Sequence, residues 1–96
     1  MKAVNTYKLR ISYDGTDYQG WQVQPNGPTV AATLQEAFTR TFNHQLSMVG
    51  ASRTDSGVHA FDQVARVRTD LTIDAARLLR AWNNALPSDI VIRELI

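Results

Sequence analysis

The chain has 96 residues, no cysteine, and a formal charge of +1 from ten Lys and Arg against nine Asp and Glu. That length makes one domain or one piece of a larger protein, able to bury about two-thirds of its unfolded surface and to hold a stability on the order of 5–14 kcal/mol without covalent staples. The missing cysteines exclude disulfides, thiolate nucleophiles and Cys-type zinc sites, and they are compatible with a reducing compartment. "MKAVNTYKLR" has no apolar signal core and no apolar run approaches membrane-spanning length, so the expectation is a soluble, unexported, cytoplasmic protein. The near-zero net charge is uninformative about partners, and any nucleic-acid signal must lie in how the charges are distributed.

Taken in chain order, "TYKLRISY" alternates Tyr7, Leu9, Ile11 and Tyr13 with Lys8, Arg10 and Ser12, the period of a half-buried strand. "DGTDYQGWQVQPNGP" carries the Gly and Pro markers of an ordered loop. Thr29 is placed to cap a helix whose stripe is Val30, Leu34, Ala37, Phe38, Thr41 and Phe42. "QLSMVG" reads as a short strand with Leu46 and Met48 on one face. "FDQVARVR" reads as another, with Ala65 and Val67 opposed by Arg66 and Arg68. Thr72, with Asp74 in the first turn, is predicted to start a second helix. Its stripe is Ala75, Leu78, Leu79, Trp82 and Leu86, and Pro87 stops it. "DIVIRELI" closes the chain as a strand.

The order β-α-β-β-α-β predicts an α+β, ferredoxin-like fold, an antiparallel sheet with two helices on one face. The first and third strands are the adjacent central pair of that topology. Lys8, Arg10, Arg66 and Arg68 would then lie close together on the uncovered face. Such a cluster is either an ordinary solvated polar face or a platform for phosphate.

Between the second and third strands runs Ala51 to Ala60, ten residues where hairpin loops usually hold about two to five. It contains Arg53-Thr54-Asp55-Ser56-Gly57-Val58-His59. Asp55 is the type of group that is ionised at neutral pH, Arg53 is a fixed cation able to orient it, and Gly57 permits a turn closed to other residues. Asp-Ser-Gly is also ordinary turn chemistry, so composition and spacing leave a structural turn and a functional loop both standing.

Stock motifs fail here. "GASRT" lacks the final glycine of a nucleophile elbow, and "GTDYQG" is followed by Trp21-Gln22 instead of Lys-Ser/Thr. Ser52 or Ser56 with His59 and Asp55 has no support as a triad beyond proximity in sequence. His44 and His59 lack further ligands for a metal.

"RTDSGVHA" resembles the catalytic loop of the TruA-type tRNA pseudouridine synthases, G-R-T-D-A-G-V-H-A. "YDGTDYQGWQVQP" resembles the same family's N-terminal signature, Y-D-G-x-x-Y-x-G-W-Q-x-Q. "VRT", "NNALPSDIVI" and the helix before them follow that family's first domain in order and spacing, so the resemblance covers nearly the whole chain. Ser52 and Ser56 depart from the family's usual Gly and Ala.

The resemblance implies that Asp55 is the catalytic aspartate of an isomerisation that detaches uracil from ribose, turns it, and rejoins it through carbon. It implies no cofactor and no metal, since the reaction has no redox change. An ionised carboxylate suits either covalent attack on the ribose or removal of a proton from it. Arg53 matches the arginine that helps displace the target nucleotide, a need set by the stacking of the reacting base. Thr54, Ser56 and Gly57 are read as shaping the loop, His59 as a loop partner or an RNA contact, and Tyr18, Trp21 and Gln22 as supports of the cleft. Lys8, Arg10, Arg66 and Arg68 are the expected RNA-binding cations.

The family's enzymes carry a second domain and work as homodimers on the anticodon stem-loop of tRNA. Residues 1–96 are accordingly expected to be the N-terminal, aspartate-bearing domain of such an enzyme, inactive alone. Two alternatives come from other classes. A non-catalytic RNA-binding module would want aromatics where the central strands carry cations. An acylphosphatase-like hydrolase would want a phosphate cradle with arginine where "DGTDYQG" has acids.

Overall fold

The computed structural model describes residues 4–21, 27–51 and 60–96, which form β1 (Asn5–Tyr13), α1 (Val30–Phe42), β2 (Ser47–Ala51), β3 (Ala60–Thr69), α2 (Ala75–Ala85) and β4 (Ile90–Leu95). The sheet is antiparallel with strand order β2-β3-β1-β4, which is the ferredoxin-like arrangement. Leu9, Ile11 and Tyr13 of β1, Ala65 and Val67 of β3, and Ile90 and Ile92 of β4 turn one face into the core. Against that face α1 lays Val30, Leu34 and Phe38, and α2 lays Leu78 and Trp82. Thr41, predicted in the α1 stripe, is exposed.

Each helix starts where a short polar side chain reaches back to a free N–H. Thr29 Oγ1 accepts from Ala32 N, and the carbonyls of Gly20 and Trp21 accept from Val30 N and Ala31 N, so the first turn of α1 is satisfied by the preceding loop. In α2 the cap is Asp74, whose carboxylate accepts from Arg77 N. The helix therefore begins two residues later than a Thr72 start implies, and Ala75 is exposed instead of joining the stripe. Asn43, at φ 56° and ψ 37°, closes α1 by donating its N–H to Thr39 O.

The two helices join through Trp82, which is fully buried. Its ring meets Phe38 edge-on at 5.2 Å and its Nε1 donates to Leu34 O at 3.0 Å. One residue on, Asn83 binds the outer edge of β4: its Nδ2 donates to Ile92 O (2.9 Å) and its Oδ1 accepts from Ile92 N (2.8 Å). The amide thus takes the place of a neighbouring strand along an edge that would otherwise be open to pairing. Asn83→Ala is expected to lower stability by about 1–3 kcal/mol, because both backbone groups lose their partner. A urea midpoint equivalent to less than 0.5 kcal/mol would mean that water replaces the amide at no cost.

Candidate active site at one end of the sheet

The two segments that carry the sequence motifs are anchored at the same end of the sheet. There Tyr13, the last residue of β1, is register partner to both Ala60 of β3 and Ile90 of β4. Directly after it, Asp14 donates its N–H to Asp89 O, and Asp14 Oδ1 accepts from Thr16 N, an Asx-type turn that sends the chain away from the sheet. The turn is closed by Tyr18 N donating to Gly15 O, and the segment is tied to the start of β4 by Tyr18 Oη donating to Asp89 Oδ1 at 2.7 Å. Burial, and then the Asp89 carboxylate, push the Tyr18 phenol well above its ordinary pKa, so it stays a donor at any physiological pH.

Trp21 ends this segment 4% exposed and stacked on Tyr13 at 6.1 Å. Tyr18 is 7% exposed. Rings so covered have no free face for a nucleobase, and they instead hold the 14–21 segment onto the core. Gly20, at φ 92°, makes the bend that aims its carbonyl at the α1 N-terminus. At Gly27 a Cβ would come within 2.7 Å of Gln19 Cγ, and Gln19 N in turn donates to Pro28 O. The loop is therefore tightly built where it is described.

The acid-bearing connection spans residues 52–59, eight residues and not ten, because Ala51 and Ala60 are themselves strand. Its feet are not level. Ala51 pairs with Ala65, which in turn faces Leu9, whereas Ala60 faces Tyr13. The offset of four residues from Leu9 to Tyr13 corresponds to about 13 Å along the strand. Hence β3 runs past the end of β2, and Ala60–Val64 have β1 as their only strand neighbour among the described residues. Arg53, Thr54, Asp55, Ser56, Gly57 and His59 lie outside the described residues, as does Gln22.

The four expected cations do share the uncovered face, but they are not equivalent. Lys8 and Arg66 are direct cross-strand partners, and Arg68 faces Thr6 one step further from the loop. All three are exposed, and none has an ion-pair partner among the described residues. Arg10 is different: its Nη1 binds Asp62 Oδ2 at 2.8 Å and its Nε lies 3.8 Å from Glu94 Oε2. The end of the face nearest the loop is thus electrically compensated, and the free positive charge sits toward the middle and the far end. Among the described residues no aromatic accompanies these cations, which disfavours a base-stacking sheet of the RRM kind.

Sequence reasoning did not single out Asp62, Glu94 or Asp89. The charges of Asp62 and Glu94 were visible, but their pairing with Arg10 depends on register. Asp89 sits 71 residues from its tyrosine partner.

The family model for tRNA pseudouridine synthase matches residues 10–95. The chain is 46% identical over 86 residues to the tRNA pseudouridine synthase A of Ruminiclostridium cellulolyticum, covering 90% of this chain and 35% of that protein. It is 44% identical over 88 residues to that of Exiguobacterium sibiricum, covering 92% and 35%, and 48% identical over 87 residues to that of Acetivibrio thermocellus, covering 91% and 36%. The chain therefore spans about a third of the length of these curated relatives. With a match running from β1 through β4 and both motif segments rooted at one end of the sheet, this chain belongs to the tRNA pseudouridine synthase family.

Proposed function

We propose that this chain is the N-terminal, aspartate-bearing domain of a tRNA pseudouridine synthase acting in the cytoplasm on uridines of the anticodon stem-loop. The observation that carries the reading is the convergence of the two motif segments. The signature loop after β1 and the acid loop before β3 share Tyr13 as their root. Catalysis needs reacting groups held in fixed geometry, and roots on paired strands supply that.

In this reading Asp55 breaks the glycosidic bond by attack on, or deprotonation of, the ribose. Arg53 eases extrusion of the target nucleotide, paying part of the unstacking cost with charge placed near the RNA backbone. Thr54, Ser56 and Gly57 shape the loop, and His59 holds it or meets phosphate. Lys8, Arg66 and Arg68 carry free charge for the RNA backbone. Arg10 contributes less, because two carboxylates already neutralise it. The remaining parts of the cleft would come from a second domain, and the whole enzyme would work as a homodimer.

The test is to incubate the complete protein with an unmodified tRNA transcript and to map pseudouridine by carbodiimide adducts and primer extension. Adducts confined to anticodon stem-loop uridines are expected. Residues 1–96 alone are expected to give turnover at least about 10³-fold lower, since half of the positioning groups would be missing. Equal turnover by the isolated chain would show that the site is complete within it, and no adduct with the complete protein would remove the synthase reading.

A further inference from the structure

At the end of the sheet remote from the loop roots, the α1–β2 turn, the start of β2 and the end of β3 surround a concavity of about 500 Å³. It opens beside the uncovered face. Arg68 and Ser47, which are exposed cross-strand partners, stand on its wall. Arg68 has no hydrogen-bond or ion-pair partner among the described residues. The amide side chains of Asn43 and Gln45 add neutral donors from the turn.

Among the described residues one carboxylate lines this concavity, that of Asp70, two residues beyond Arg68. Left alone it would be the natural partner of the guanidinium. Instead Asp70 Oδ1 lies 2.8 Å from His44 Nδ1. A carboxylate can only accept, so Nδ1 carries the proton of that bond. The imidazole thus helps to hold the acid away from Arg68, whose charge is left available.

We propose that this corner binds a single phosphodiester of the RNA strand, with Arg68 as its charge, Ser47 as a second donor, and His44 as a positioning residue that acts by restraining Asp70. The proposal rests on the synthase reading for the identity of the nucleic acid. Geometry favours an RNA backbone over an isolated anion. The Arg68 row and the Lys8–Arg66 row are two residues apart along the strands, about 7 Å. That is close to the reach of one ribose–phosphate repeat, so one strand can meet both rows in succession. The substrate would then be gripped at the far end of the face while its target base lies at the loop end.

The experiment measures binding of the complete protein to an unmodified tRNA transcript by filter retention between 50 and 200 mM salt. Arg68→Ala is expected to weaken binding roughly 5–20-fold and to reduce the steepness of the log–log salt dependence by about 0.7–0.9, the release of one phosphate's counterions. His44→Ala is expected to weaken binding about 3–10-fold by loosening Asp70, which then competes for Arg68. His44→Ala combined with Asp70→Asn is expected to recover binding to within about twofold, which simple loss of a histidine contact would not do. An unchanged salt slope in Arg68→Ala overturns the phosphate site. Failure of Asp70→Asn to rescue, at an unchanged melting temperature, overturns the role of His44. Should His44→Ala lower the melting temperature, Arg68→Ala on its exposed side chain still decides the site. Wild-type protein that binds no tRNA would instead remove the underlying synthase reading.

Discussion

Asp55→Asn in the complete enzyme is expected to abolish pseudouridine formation while leaving tRNA affinity within about threefold of wild type. Asparagine keeps the size and one acceptor oxygen of aspartate but has neither the negative charge nor a basic oxygen. Attack on the ribose and removal of its proton both need the ionised carboxylate, so either chemistry stops. Loss of a nucleophile or general base costs on the order of 10²–10⁴ in rate, equivalent to about 3–5.5 kcal/mol of barrier. Affinity for RNA comes mainly from cations meeting phosphates, and the exposed Lys8, Arg66 and Arg68 are untouched by the change. Single-turnover kinetics with filter binding separates the two quantities. A parallel loss of affinity would make Asp55 an architectural residue of the loop and not the acid that does the chemistry.

The elements were legible because their periods are clean. β1 alternates core and surface from Tyr7 to Tyr13 with no interruption, and the Thr29 cap is followed at once by an apolar helical stripe. The start of α2 was harder for a physical reason. Thr72 and Asp74 are both capping types, and only the carboxylate's reach to Arg77 N decides between them. The acid loop is singled out by its motif alone, since turn composition by itself fits a structural loop equally well.

Charge pairing on the open face was not legible, and the cause is one irregularity. Ile11 pairs with Ile92, and a ladder continued at that register would set Arg10 opposite Arg93. The register instead shifts by one between Arg10 and Ile11, so Arg10 meets Glu94. The bulge replaces a like-charge pair, which destabilises a sheet, with an attractive one. Alternation alone cannot anticipate where a ladder slips by one residue. The same slip, with Asp62 on the other side, takes Arg10 out of the set of cations on the open face that lack an ion-pair partner among the described residues.

Trp82→Ala is expected to be the most damaging single change to the fold. The indole is fully buried in the core, in an edge-on contact with Phe38 and donating its N–H to Leu34 O. Truncation of a buried Trp costs about 3–5 kcal/mol in transfer and cavity energy. Against a total of about 5–15 kcal/mol this is a large fraction. For a domain of this size it lowers the melting temperature by roughly 12–40 °C. Trp82→Phe keeps most of the volume and the edge-on ring contact, losing mainly the hydrogen bond to Leu34 O, and should cost about 1–2 kcal/mol. The difference between the two variants isolates packing from polarity. Because Asn83 is the next residue and fastens the β4 edge, loosening Trp82 also loosens the strand that follows Asp89, the tie to Tyr18. Trp82→Ala in the complete enzyme should therefore lose activity as it melts and regain it on cooling, whereas Asp55→Asn is inactive at every temperature. A Trp82→Ala protein within 1 kcal/mol of wild type in urea would show that the helices are held together by something other than this ring.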